Sequence, residues 1–345
     1  MVAIPLLASA VVSVLPSARI AWGVAFVTTL CCLYMAFELT EIVSASLTLS
    51  YAFGGWEPPW GIAFVVDGAN VHLVLLVAFI SVIATVYALT TLKHEIAVED
   101  LPKAYAVWLL TIASLFGLSM TGDAFNLFVF LEISALSSIT LIALGAGQDR
   151  RALLAAYNYL IIGAIGATFY VIGVGYLYAA TGTLNLLDII ERLNEIGTNQ
   201  AAVTGLSFML AGIMVKAGVF PVHIWLPAAY SFAPSAVSSL LSAIATKVAI
   251  YYLARLLFGI FILVTPFGKP IFSWFDKLIK KLLSFSNDGS EFLFSSFIDG
   301  KMHPAVINFA FSVLPTVIFF SALFAVLYHI GLMQKVIQIM AVVMQ

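Results

Sequence analysis

DAFNLFVFLEISALSSITLIALGA, residues 123–146, opens on Asp123 and then is mostly apolar, with one charge near its middle, Glu132. About 20 apolar residues in a helix cross roughly 30 Å of hydrocarbon with every backbone hydrogen bond satisfied internally, so the stretch reads as a membrane-spanning helix. Working outward, similar runs recur near 2–15, 20–39, 68–92, 104–121, 152–180, 201–221 and 235–257, giving eight helices before residue 265. The first is short, and a tight turn separates the fourth from the fifth. Composition agrees: 63% of the 345 residues are hydrophobic and only 9% are charged, with a mean hydropathy of +1.10. No water-soluble domain of this size could clothe itself with so few charges. The formal charge of -2 and the lack of a basic patch with interleaved aromatics exclude nucleic acid as a partner. Cys31 and Cys32 are adjacent inside an apolar run and suit helix packing better than a metal site or a disulfide. The first stretch has no preceding basic residue and is soon followed by another, so it counts as a membrane helix rather than a cleaved signal.

Between the second and third helices lies YAFGGWEPPWGIAFVVDG, residues 51–68, where Gly54, Gly55, Pro58 and Pro59 break helix and the alternating ends suggest a small surface hairpin. Arg19, Lys93, Lys103, Arg150 and Arg151 fall in loops on one side, whereas Glu41, Glu57, Asp67, Asp123, Asp188 and Glu195 fall on the other with Arg192 their sole basic companion. Basic residues concentrate in short cytoplasmic loops, which places the N-terminus and the hairpin outside. Residues 185–200 read as a short amphipathic helix at the outer interface.

Three ionisable side chains fall inside spans, at a cost of about 2.5 to 3.5 kcal/mol each on insertion scales, so each asks for a function and a partner. They are Glu132, Lys216 in GIMVKAGVFPVHIWLP (212–227) and Lys247 in SAIATKVAIYYLARL (242–256). Pro221 lacks a backbone donor and is expected to break the seventh helix close to Lys216, as in transporters that handle an ion near the midplane. One reading makes Glu132 and Lys216 a static ion pair that locks two helices. The other makes them a proton relay, in which moving the carboxylate loads or unloads the lysine, with Lys247 the next site. His223, just past the break, is either a further relay group or a hydrogen-bonded structural residue; Asp123 is either part of the path or a helix cap. No nucleophile motif, phosphate loop or CxxC occurs, so neither covalent catalysis nor a cofactor is expected.

GGWEPPWGI with Asp67 and Gly68, MTGDAFNLFVFLEIS, DRRALLAAYNYLIIGAIGATFYVIGVGYLY with TGTLN, KAGVFPVHIWLPAAYSFAPSAVSSLLS and ATKVAIYYLAR stand in register over residues 1–255. This series resembles the antiporter-like subunits shared by multi-subunit cation/proton antiporters, their D-type member above all, and by respiratory complex I. The resemblance implies an inner-membrane, multi-pass subunit that moves protons, in exchange for Na+ or K+, among other membrane subunits of a hetero-oligomeric assembly. It implies no enzyme chemistry, quinone or NADH on this chain. The family's fifth-helix glutamate, seventh-helix lysine and eighth-helix lysine correspond to Glu132, Lys216 and Lys247, and its broken helix to Pro221.

That family continues into a second, inverted repeat. From about residue 257, LLSFSNDGSEFLFSSF and FAFSVLPTVIFFSALFAVLYHIGLMQKVI instead resemble the N-terminal scaffold part of concentrative nucleoside transporters, short of any binding residue. The apolar run over 305–345 would add one or two helices, for nine to ten in all. Two domains are therefore expected, an antiporter-like one over 1–256 and a nucleoside-transporter-like segment over 257–345. The competing functions are a nucleoside:cation symporter and a non-transporting scaffold.

Overall fold

A helix apolar on all sides lies in a protein core or against lipid, and α4 (Leu101–Met120) takes the core, buried along nearly its whole length with Trp108 and Phe116 fully enclosed. In this computed structural model, residues 1–46, 48–196 and 199–264 are described, together with Lys277, Lys280 and Lys281. Around α4 stand α1 (Ala3–Ser13), α2 (Ala18–Ser46), α3 (Asn70–Glu95) and α5 (Ala124–Ala143). On the other side of α5 lie α6 (Arg151–Thr181) and, against it, α8 (Gln200–Ala217). The chain then runs through α9 (Trp225–Phe232) and α10 (Ser235–Leu240) into α11 (Thr246–Val264). A π-helical turn over Leu241–Ala245 joins the last two.

Among the described residues seven helical segments are long and apolar enough to cross a membrane. The expected first span is an 11-residue helix, only about 16 Å long at 1.5 Å per residue, which falls short of a crossing. Two strands, β1 (Thr48–Ala52) and β2 (Ala63–Asp67), pair antiparallel and form the hairpin between α2 and α3. The segment expected to be amphipathic forms α7 (Leu186–Ile196), whose first turn is capped by the Asn185 side chain accepting from the Leu187 and Asp188 amides.

The chain divides into two compact units, Met1–Thr265 and Pro266–Gln345. The nucleoside-transporter-like stretches lie outside the described residues.

The interface of α6 with α8 fixes the site. A Cβ added to Gly212 would lie 2.5 Å from the Gly166 carbonyl and 2.7 Å from the Tyr170 Cβ. A glycine is required there for the two backbones to approach, the small-residue packing by which membrane helices associate. α8 ends at Gly218, whose φ of 65° is left-handed and whose N–H reaches back to the Val215 carbonyl. The expected break at Pro221 is thus a wider interruption over residues 218–224, begun by glycine, with Pro221 exposed in its middle.

Candidate functional site

Lys216 is the penultimate residue of α8 and is 9% exposed. Its ammonium donates to the Tyr159 hydroxyl of α6 at 2.6 Å and stands 5.2 Å from that ring's centroid. Tyr159 in turn lies flat on Trp225, with centroids 4.0 Å apart and planes 7° from parallel. Trp225 belongs to the helix beyond the interruption, and its Nε1–H donates back to the Val215 carbonyl at 3.0 Å. The two halves of the interrupted helix therefore meet at Tyr159. A cavity of about 20 Å³ opens beside them, lined among others by Leu131, Tyr159, Gly212 and Lys216, room for one water.

Glu132 is half-buried on α5 and acts electrostatically on both Lys216 and Tyr159. It forms no ion pair within 4 Å; among the described residues, those pairs join Lys103 to Asp100, Arg151 to Asp149, Arg192 to Asp188 and Arg255 to Asp67. Two serines of the same helix, Ser134 and Ser138, have buried hydroxyls without a hydrogen-bond partner. Ser138 lies beside the Tyr159 hydroxyl without forming a well-made bond to it.

Lys247 sits differently. Its neighbours Val248 and Ala249 are buried, while Lys247 and Ile250 face outward from the chain. Its ammonium donates to the Ser242 carbonyl inside the π-helical turn, where the wider winding displaces carbonyls from their usual partners. The structure does not bring Lys247 into hydrogen-bond contact with Lys216. Further along α11, Arg255 pairs with Asp67 at the end of β2.

Asp123 caps α5 by accepting from the Asn126 amide at 2.7 Å. Burial raises its carboxyl above the ordinary value against the opposing amides of Asn126 and Phe125. His223 lies in the interruption near Phe220, with a buried Nδ1 that has no partner. Among the described residues no group of three or more His, Cys, Asp or Glu is placed to hold a metal ion.

Sequence reasoning passed over Tyr159 and Trp225. A signal for the first existed: Tyr159, Gly163, Gly166 and Tyr170 follow one another on a single helical face, the face on which α6 and α8 touch. It also missed Glu95, whose carboxylate accepts from the Ser235 amide at 2.7 Å and its hydroxyl at 2.5 Å across 140 residues, holding the start of α10.

Residues 121–278 match the model of the family described as NADH:quinone oxidoreductase/Mrp antiporter, TM, a segment that extends past residue 257. The chain is 44% identical over 223 residues to the N-type subunit of an NADH-quinone oxidoreductase from Desulforudis audaxviator, covering 65% of this chain and 44% of that protein. It is 33% identical over 241 residues to the D-type subunit of a Na(+)/H(+) antiporter from Bacillus subtilis, covering 70% and 48%. Among solved structures it resembles a chain of the Mrp complex from a Dietzia species, with a TM-score of 0.67, 28% identity, and coverage of 74% of this chain and 47% of that one. The chain thus spans about half the length of the curated relatives it matches. Nothing in these matches supports a nucleoside symporter. With its apolar helices, the chain is a multi-pass membrane protein. Over residues 121–278, which hold Glu132, Lys216 and Lys247, it is similar to the NADH:quinone oxidoreductase/Mrp antiporter transmembrane family.

Proposed function

We propose that this chain is a proton-translocating membrane subunit, itself performing no covalent chemistry, that works among other membrane subunits of a cation/proton antiporter or complex I-like assembly of the cell's inner membrane. Protons, exchanged for Na+ or K+ in the antiporter case, would pass a relay of Glu132, Lys216 and Lys247. The observation that carries this reading is the setting of Lys216: an ammonium enclosed by protein, at the interruption of a membrane helix, beside a carboxylate that it does not contact. A lysine held only to lock two helices would sit in direct contact with its acid. A lysine with a separate hydroxyl partner can be drawn toward Glu132 or released from it, and a shift of one pKa unit in such a pair is about 1.36 kcal/mol. One charge crossing 100 mV carries about 2.3 kcal/mol, so modest movements match the available driving force.

His223 and Asp123 are secondary members in this reading. The unpartnered His223 Nδ1 favours a relay role, and the helix-capping contact of Asp123 favours an anchoring one. The test is proton flux into liposomes containing the purified chain, read by an internal pH dye. Lys216→Ala should lower flux on the order of a hundredfold, the scale of a lost acid–base group. Unchanged flux would overturn the relay.

A second reading, a non-transporting scaffold, draws on the outward-facing Lys247. A lysine facing lipid at midspan is costly, so that face asks for cover by another membrane segment. Flux absent from the chain alone but restored with added antiporter subunits would favour the first reading. Assembly that proceeds unchanged with Lys216→Ala and without any flux would favour the second.

A further inference from the structure

An ammonium carries three donors, and among the described residues Lys216 spends one on Tyr159 and none on another hydrogen-bond partner. Because the Tyr159 oxygen accepts there, its own O–H points elsewhere, and the neighbouring polar group is the Ser138 hydroxyl. Ser134, one turn earlier on α5, is buried and unpartnered in the same way. Leaving a buried hydroxyl unsatisfied is unfavourable, and here two occur on α5, the helix that carries Glu132 and whose Leu131 and Ala135 line the cavity of about 20 Å³. Sterically the tyrosine is the fixed member of the group, since its ring is clamped on Trp225 while Lys216 hangs on a flexible stem. Trp225 also ties that ring to the far side of the helix interruption.

Building on the relay reading, we propose that Tyr159 is a positioning and proton-bridging residue between Lys216 and the serine face of α5. The Lys216 ammonium gives a proton to the Tyr159 oxygen as the phenol proton leaves for the Ser138 oxygen. The Ser138 proton passes on, through one water between them, to the Glu132 carboxylate. Lysine ends as a neutral amine, glutamate as a neutral acid, and Tyr159 and Ser138 are unchanged; the reverse sequence reloads the lysine.

Tyr159→Phe keeps the ring, the stack on Trp225 and the volume, and removes only the hydroxyl. Its flux in liposomes should fall about tenfold, the consequence of one lost hydrogen-bonded step, and its dependence on pH should flatten. A second readout needs no transport: infrared difference spectra taken across pH, unaltered chain minus Tyr159→Phe, should contain a phenol C–O band that disappears in Lys216→Met. Loss of flux in Lys216→Met with normal flux and pH profile in Tyr159→Phe would overturn the bridge and leave the relay standing. Intact flux in Lys216→Met would sink the relay itself. Should the chain alone carry no flux, absence of the pH-sensitive phenol band overturns the bridge and its presence supports it.

Discussion

Lys216 and Lys247 stand on neighbouring helices of one bundle, and each donates a hydrogen bond within the chain, yet their surroundings are opposite. Lys216 is enclosed by α6 and α8, with a tyrosine hydroxyl to hold and a carboxylate nearby. Lys247 lies on the outward face of α11 and holds a carbonyl of its own helix, displaced by the π-helical turn. The difference teaches that two lysines alike in sequence context can meet unlike surroundings, one closed by packing and the other left on a surface.

The strongest way to break this comparison is to ask whether water-borne reagents see the two lysines alike. In detergent, an amine-reactive ester should modify Lys247 on the order of a hundredfold faster than Lys216, because Lys216 reacts only when the bundle opens locally. Peptide mass spectrometry reads the ratio, and equal rates would erase the distinction.

Removing the clamp should narrow that ratio. Trp225→Ala deletes the ring under Tyr159 and the Nε1–H bond to Val215, a loss of about 3 to 5 kcal/mol for a buried tryptophan. Denaturant unfolding should show it, and Lys216 labelling should rise toward that of Lys247. Stability unchanged within error would mean that Trp225 does not hold the site.

The smallest effect concerns the anchor of α11 beyond Lys247. Burial raises the Asp67 carboxyl, but the Asn70 amide, Arg255 and the Ala69 amide together hold it below its ordinary value. Its contribution is therefore complete above about pH 4, the unfolded value, and is lost as pH falls through the lower folded one. Both side chains are partly exposed, so Asp67→Asn should cost only about 1 kcal/mol or less near neutrality, and nothing in strong acid. A deficit that grows on acidification would contradict this assignment.

The spans, the hairpin and the three charges set in apolar runs were legible because each depends on local chemistry. A lipid interior demands long apolar helices, Gly54, Gly55 and the prolines force a turn, and a Glu or Lys amid apolar residues is conspicuous wherever it occurs. The break was legible too, although the residue that begins it is Gly218, with its left-handed backbone, rather than Pro221. Tyr159 and Trp225 were not legible as site residues. Amphipathic aromatics are common in membrane helices, and their meaning depends on which neighbour they meet. Nor does sequence tell that Lys216 faces inward and Lys247 outward, since both interrupt apolar runs in the same way. That was decided by tertiary packing: Gly212 against Gly166 draws α8 onto α6 and closes protein around Lys216, whereas Val248 and Ala249 take the buried face of α11 and turn Lys247 away. Burial is a property of two surfaces meeting, and one helix's sequence specifies only its own.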